Sequence, residues 1–457
     1  MCVNYVFLTL LLLISIVSKT TAGSCHKIHE NYFKYLATKT GYRFIQNEDQ
    51  KPLNFPDCEL TKIWGLVRHG TRLPGDKIIA KIKHDLSTLQ EKIIDNYSQD
   101  KSNMCDISMF KSWTPHFELD GDDKSLTIEG QRELLALGQR LRNRFPTLLN
   151  QKFDNDTFFF KYTKTQRTQE SAFRFVEGLF GREGSTEVWY PRSVKRDPIL
   201  RFYKACEKWR HTVDHSPASY EEQEKFTRSK LYQQTVAVVS RRLGFERNLT
   251  AAEVKLMYTT CGFETAWSPG FESPWCSIFS VKDLEVLEYA EDIDYYWIDG
   301  HGYALTGKIA CPAFQDMMNH ISSTSARHTV FYFTHSGTLL KFLTHLSLYN
   351  DSSPLLHNNY AHMRERKWRV SRIDAFGTNL VFANYRCKNN RNYLLTLHQE
   401  RPVLLPGCQE FLCPLETIQE TYRTSLHECE FEQMCKYEGD GKSTGSLREE
   451  NTDHDEL

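Results

Sequence analysis

Apolar residues in this chain fall into short uninterrupted runs separated by stretches of helical periodicity, the pattern of an α/β protein. The run 62–67 (KIWGLV) predicts a buried strand, and Arg68-His69-Gly70-Thr71-Arg72 follows it at once. Thr127 has the chemistry of a helix N-cap; after it Leu134, Leu137, Leu141 and Phe145 recur at helical spacing until Pro146 ends the pattern. Phe158-Phe159-Phe160 predicts a second strand and Arg167 to Phe175 the start of a helix. Residues 181–312 carry many charges and aromatics, helical stretches such as 220–243 and few strand signals. They are expected to form an inserted helical region. Strand character returns at 328–334 (HTVFYFT), directly before His335, and 336–346 reads as a helix. Each His then stands at the carboxyl end of a strand that feeds a helix. That topology would bring the two together in the crevice where open α/β sheets bind ligands.

The ends of the chain read differently. The apolar run 5–17 precedes the small residues Thr20-Thr21-Ala22-Gly23, which predicts a secretory signal peptide over 1–22. A bilayer takes roughly 20 apolar residues, so this run is too short to span one, and no later window reaches that length. His454-Asp455-Glu456-Leu457 matches a retrieval signal read by a receptor of the endoplasmic reticulum, which predicts residence in that lumen with some secretion. Residues 436–457, rich in Gly, Ser and charge, would display it as a flexible tail. The expected organisation is therefore leader 1–22, α/β core 23–180 and 313–435, helical cap 181–312 and tail 436–457.

Composition narrows the chemistry. Across 457 residues, 57 Lys and Arg stand against 58 Asp and Glu, a formal charge of −1 that argues against a wholesale nucleic-acid binder. Of 13 cysteines, Cys2 leaves with the leader, and the even remainder fits disulfides in an oxidising lumen. Cys408/Cys413 and Cys429/Cys435 are close enough to invite local bridges, with connectivity otherwise open. Sequons at Asn96, Asn155, Asn248 and Asn350 agree with a lumenal chain. No C-x-x-C or H-E-x-x-H spacing implies a metal, and no cofactor is expected. Gly302 to Lys308 resembles a nucleotide phosphate loop, but Ile309 stands where a Ser or Thr must reach magnesium. Ser336 lacks the flanking glycines of a hydrolase nucleophile elbow.

Arg68-His69-Gly70-Thr71-Arg72 sets an imidazole between two guanidiniums, whose planar forks of donors match phosphate oxygens and keep their charge when buried. A neutral imidazole beside such a clamp can attack phosphorus and hold the phosphoryl group until water takes it. The string 68–74 (RHGTRLP) resembles the signature of the histidine acid phosphatases. The stretches Leu126 to Gly130, Arg144-Phe145-Pro146, Arg167 to Ala172 and Leu287-Glu288-Tyr289 narrow the resemblance to the multiple inositol polyphosphate phosphatase branch, over about residues 25 to 430. It implies a three-layer α/β core with a mostly parallel sheet and an inserted, mostly helical cap. It implies further that His69 is the nucleophile, that Arg68, Arg72 and Arg167 bind the phosphate, and that His335 shares the phosphate oxygens. The implied substrates are inositol polyphosphates of the phytate type, with bisphosphoglycerate as a further candidate.

One position departs from the pattern. The family follows its second histidine with an acid, His-Asp or His-Ala-Glu, whereas this chain has His335-Ser336-Gly337-Thr338. Losing a positioned general acid typically costs roughly 10²- to 10⁴-fold in rate. A carboxyl from Asp120, Asp122 or Asp123, or a neighbouring phosphate on the substrate, would be needed to restore the proton. The alternative is a weakened family member that binds polyphosphorylated ligands through its arginines and turns over little.

Overall fold

The structure is a computed structural model describing residues 25–115 and 123–438. The expected leader and retrieval signal, with Asp120 and Asp122, lie outside the described residues.

Among the described residues seven strands form one sheet in the order Phe158–Tyr162 (β2), Thr329–Thr334 (β3), Cys58–Arg68 (β1), Asn379–Cys387 (β4), Asn392–His398 (β5) and Arg401–Pro402 (β6), with Leu412–Pro414 (β7) paired to β5. β1 (Cys58–Arg68) runs parallel to β3 (Thr329–Thr334), which runs parallel to β2 (Phe158–Tyr162). Side chains alternate between two buried clusters: Trp64, Leu66, Val330 and Tyr332 on one face, Ile63, Val67, Phe331 and Phe333 on the other. Both faces are covered, which is why these strands are apolar without interruption. Leu134, Leu137 and Leu141 of the Ile128–Arg144 helix and Phe175 of the Gln166–Ser185 helix cover the second face. The first face is covered by Phe314 and Met317 of the Cys311–Ser322 helix and Leu339 and Phe342 of the Ser336–His345 helix. The result is three layers.

The α/β class holds, but the sheet is mixed where the resemblance implies a mostly parallel one. β4 (Asn379–Cys387) pairs antiparallel with β1, and β5 (Asn392–His398) antiparallel with β4. Only residues 388–391 separate β4 from β5, with Asn390 at φ +60°, a turn too short for the crossover that parallel pairing requires. β6 (Arg401–Pro402) and β7 (Leu412–Pro414) extend this antiparallel half.

Between β2 and β3 the described chain contains helices and no strand. The stretch expected to be helical over 220–243 is two helices, Pro217–Thr227 and Lys230–Arg242, the second restarted by Ser229, whose hydroxyl accepts from Tyr232 N. No helix among the described residues is long and apolar enough to cross a membrane.

All twelve cysteines among the described residues pair: Cys25–Cys105, Cys58–Cys387, Cys206–Cys435, Cys261–Cys276, Cys311–Cys429 and Cys408–Cys413. The local Cys408–Cys413 bridge is as expected. Cys429 and Cys435 do not join each other; Cys435 ends the Phe431–Cys435 helix and packs on buried Cys206, while Cys429 precedes that helix and meets Cys311. Of the sequons, Asn155, Asn248 and Asn350 are exposed, whereas Asn96 is half-buried with its amide donating to Leu243 O at 3.0 Å.

One buried acid gives stability a pH dependence. Glu264, in the Ala251–Trp267 helix, accepts from Trp113 Nε1 at 2.7 Å and from the Ser273 hydroxyl, and burial pushes its carboxyl up from 4.5 to about 7. Folding therefore favours the protonated form. The contribution is fully present below pH 4.5 and is lost as pH rises through about 7. Glu264→Gln should flatten the fall in unfolding free energy between pH 5 and 7 in denaturant titrations. An unchanged slope would assign that dependence to other groups.

Candidate active site

Parallel pairing sets the two histidines together. Arg68 stands opposite Thr334 in the β1–β3 register, so His69 and His335 leave the sheet side by side, with His69 N donating to Thr334 O at 3.0 Å. Their ring centroids lie 5.6 Å apart.

His69 Nδ1 lies 2.9 Å from Gly70 O, and a carbonyl can only accept. Nδ1 therefore carries the hydrogen and Nε2 the lone pair. Burial pushes the imidazole well below its ordinary range, and Arg167, Arg68, His335 and Arg72 push it further the same way. The ring is a neutral base with its nucleophilic nitrogen set by the backbone.

The loop holding it is locked against the Ile128–Arg144 helix. A Cβ on Gly70 would sit 2.4 Å from Gly130 O, and one on Gly130 only 2.2 Å from Thr71 O, so both must be glycine. Gly70 N donates to Ser171 Oγ at 3.1 Å, and Thr127 Oγ1 to Thr71 O at 2.9 Å while capping the helix through Gly130 N. Buried Glu133 accepts from Thr71 N at 2.7 Å, Thr71 Oγ1 at 3.0 Å and Tyr42 N at 2.8 Å.

The arginines are aimed by other segments. Arg68 Nη1 donates to Thr38 O at 3.0 Å and to Asp374, whose Oδ2 lies at 3.3 Å, and its guanidinium stacks 4.7 Å from the Phe376 ring centroid. Arg72 donates to Leu73 O at 2.8 Å and lies over Phe263 at 5.7 Å. Arg167 Nη2 donates to His335 Nδ1 at 3.2 Å. His335 Nε2 must then carry the hydrogen, which it gives to Thr163 Oγ1 at 2.8 Å, and that hydroxyl lies 2.9 Å from Thr168 Oγ1. Both ring nitrogens are engaged. In this geometry His335 holds Arg167.

His335, Arg68, Arg72 and Arg167 therefore all stand close enough to His69 to act on its charge. Asp123 is exposed, its Oδ1 accepting from Asp76 N at 3.2 Å. Gly302 to Lys308 follows a helix, Val281–Ile298, and not a strand, so it lacks the setting of a nucleotide phosphate loop. Sequence reasoning missed Asp374, Thr163, Arg201 and Lys204. After burial, the groups lowering the His335 pKa most are Arg167, Arg201, Arg72 and Lys204. Only the spacing of Arg201 and Lys204, one helical turn apart, hints at a shared face.

A model of the histidine phosphatase superfamily (branch 2) matches residues 59–399. The chain belongs to that branch. Multiple inositol polyphosphate phosphatase 1 of Drosophila melanogaster is 33% identical over 426 residues, covering 90% of each chain. The Homo sapiens protein of the same name is 26% identical over 433 residues and 88% of each. Among solved structures, the phytase from D. castellii superposes with a TM-score of 0.70 at 18% identity, over 89% of this chain and 88% of that one. The Bifidobacterium longum multiple inositol polyphosphate phosphatase, in complex with inositol hexasulfate, gives 0.65 at 13% identity, over 82% of this chain and 94% of that one. At such identities these likenesses establish the branch 2 fold.

Proposed function

We propose that this chain is a phosphomonoesterase that hydrolyses inositol polyphosphates through a phosphohistidine on His69. The observation that carries it is the Nδ1–Gly70 O hydrogen bond, which leaves the Nε2 lone pair free among the arginines. Nε2 attacks phosphorus while Arg68, Arg72 and Arg167 take up charge on the three equatorial oxygens. The P–O bond to the sugar alcohol breaks, and its electron pair leaves on that oxygen, which needs a proton. Water then attacks phosphorus, the P–N pair returns to Nε2, and both water hydrogens depart on inorganic phosphate. His335 acts as a positioning residue that holds Arg167. Purified glycosylated protein should release phosphate from inositol hexakisphosphate. No release across acidic and neutral pH would favour the second reading, a binder of polyphosphorylated ligands, which Gly337 supports.

The nucleophile must be neutral, and its depressed pKa keeps it neutral well into the acid range. The acid limb of kcat/KM for nitrophenyl phosphate should therefore lie well below pH 6.5. Arg167 is the foremost charge holding that pKa down, so Arg167→Gln should move the limb to higher pH. An unmoved limb would mean that it reports another group.

We place this activity in the lumen of the endoplasmic reticulum, with His454-Asp455-Glu456-Leu457 as the handle for a retrieval receptor. Six disulfides support an oxidising compartment.

A further inference from the structure

The proton for the departing oxygen has no donor at the expected place, because Gly337 has no side chain. What stands beside that turn is cationic. Thr334 and Thr338, the residues on either side of His335-Ser336-Gly337, both donate from their hydroxyls to Leu200 O at 2.7 Å. Arg201 follows Leu200 directly, and Lys204 lies one turn on in the Phe202–Ala205 helix. This segment is clamped at both ends. Asp197 Oδ1 accepts from Ile199 N and Leu200 N, each at 2.9 Å, and Asp197 Oδ2 pairs with Lys161 at 2.6 Å. At the other end Cys206 is bonded to Cys435. Both cations lie near enough to His335 to depress its pKa. Asp374 accepts from Ser336 Oγ and is buried and paired with Arg68.

We infer that the substrate supplies the proton: Arg201 and Lys204 hold a second phosphate monoester, on the carbon adjacent to the scissile ester, and its P–OH protonates the leaving oxygen. This rests on the phosphohistidine reading above and adds the substrate class, vicinal phosphates on a polyol. The second ionisation of a phosphate monoester lies at about 6. Two cations at its oxygens make it a stronger acid and confine its protonated form to acid solution, where the transfer is expected. As His69 Nε2 bonds to phosphorus, the ester P–O pair moves onto the alkoxide oxygen, the vicinal P–OH hydrogen moves to that oxygen, and the vicinal phosphate becomes a dianion. The product alcohol leaves uncharged at that oxygen, and proton exchange with water reprotonates the vicinal phosphate.

The test compares kcat for an inositol bisphosphate with vicinal phosphates, a bisphosphate with phosphates on opposite carbons, and nitrophenyl phosphate, whose leaving group needs no proton. Wild-type protein should turn over the vicinal compound roughly 10²- to 10⁴-fold faster than the separated one. It should hydrolyse nitrophenyl phosphate without a second phosphate. In the Arg201→Gln/Lys204→Gln protein the vicinal-to-separated ratio should fall below about 10²-fold, the lower edge of a general-acid effect. Gly337→Glu should raise kcat for the separated bisphosphate at least about tenfold by restoring an acid from the protein. Equal kcat for the two bisphosphates, with nitrophenyl phosphate hydrolysed, would overturn this inference and leave the phosphatase standing. Failure on all three compounds would overturn the phosphatase itself. A ratio that survives in the double variant would overturn the assignment to Arg201 and Lys204.

Discussion

Replacing His69 with alanine should abolish phosphate release from inositol hexakisphosphate, lowering kcat by roughly 10⁴-fold or more, as deleting a covalent nucleophile does elsewhere. The arginines and the neighbouring imidazole remain, but none can form the phosphoryl bond. The loss should be chemical and not structural. The ring makes one hydrogen bond, to Gly70 O, and packs beside His335 and Phe376, while the loop is fixed by backbone contacts at Gly70 and Gly130 and by Glu133. Thermal unfolding of the variant should therefore match the parent, and retained turnover would mean that another atom attacks phosphorus.

Glu288→Ala should produce the largest loss of stability, about 3–5 kcal/mol in denaturant titrations, the scale for stripping one partner from a buried ion cluster. Glu288 is fully buried and accepts from Arg369 Nε at 2.9 Å, Arg366 Nη2 at 3.3 Å and the Ser371 hydroxyl. Its removal leaves Asp292 alone to pair with Arg366 and leaves Arg369 without this carboxylate. The damage should travel to the site. Arg369 precedes the Val370–Ile373 helix and Ser371 lies within it, and Asp374 N donates back to Val370 O at 2.9 Å before its side chain meets Arg68. Activity should therefore fall with stability in Glu288→Ala. A change under about 1 kcal/mol, the scale of an exposed pair, would contradict the burial argument.

The parallel part of the sheet was legible because burial on both faces makes 62–67 and 328–334 continuously apolar. Each strand also ends on a histidine, so the pairing of His69 with His335 followed from topology. The antiparallel half was not legible. β4 is broken by Asn384, Tyr385 and Arg386, and its buried Asn384 is tolerated because the amide reaches Thr61 Oγ1 at 2.7 Å, a contact between strands. Asp374 and Arg68 are 306 residues apart, and Leu200 reaches Thr334 only through its main-chain carbonyl, which carries no sequence signature. Distance along the chain likewise misjudged Cys429 and Cys435, whose partners are set by which buried surface each faces.

The most direct measurement is to trap the enzyme during turnover of ³²P-labelled inositol hexakisphosphate, denature it in alkali, which spares the P–N bond, and map the label by mass spectrometry. The account requires one phosphoryl group on the imidazole of His69, formed within the first turnover and lost on chase with unlabelled substrate. Steady release of phosphate with no label on that peptide, or with the label on another residue, would contradict it.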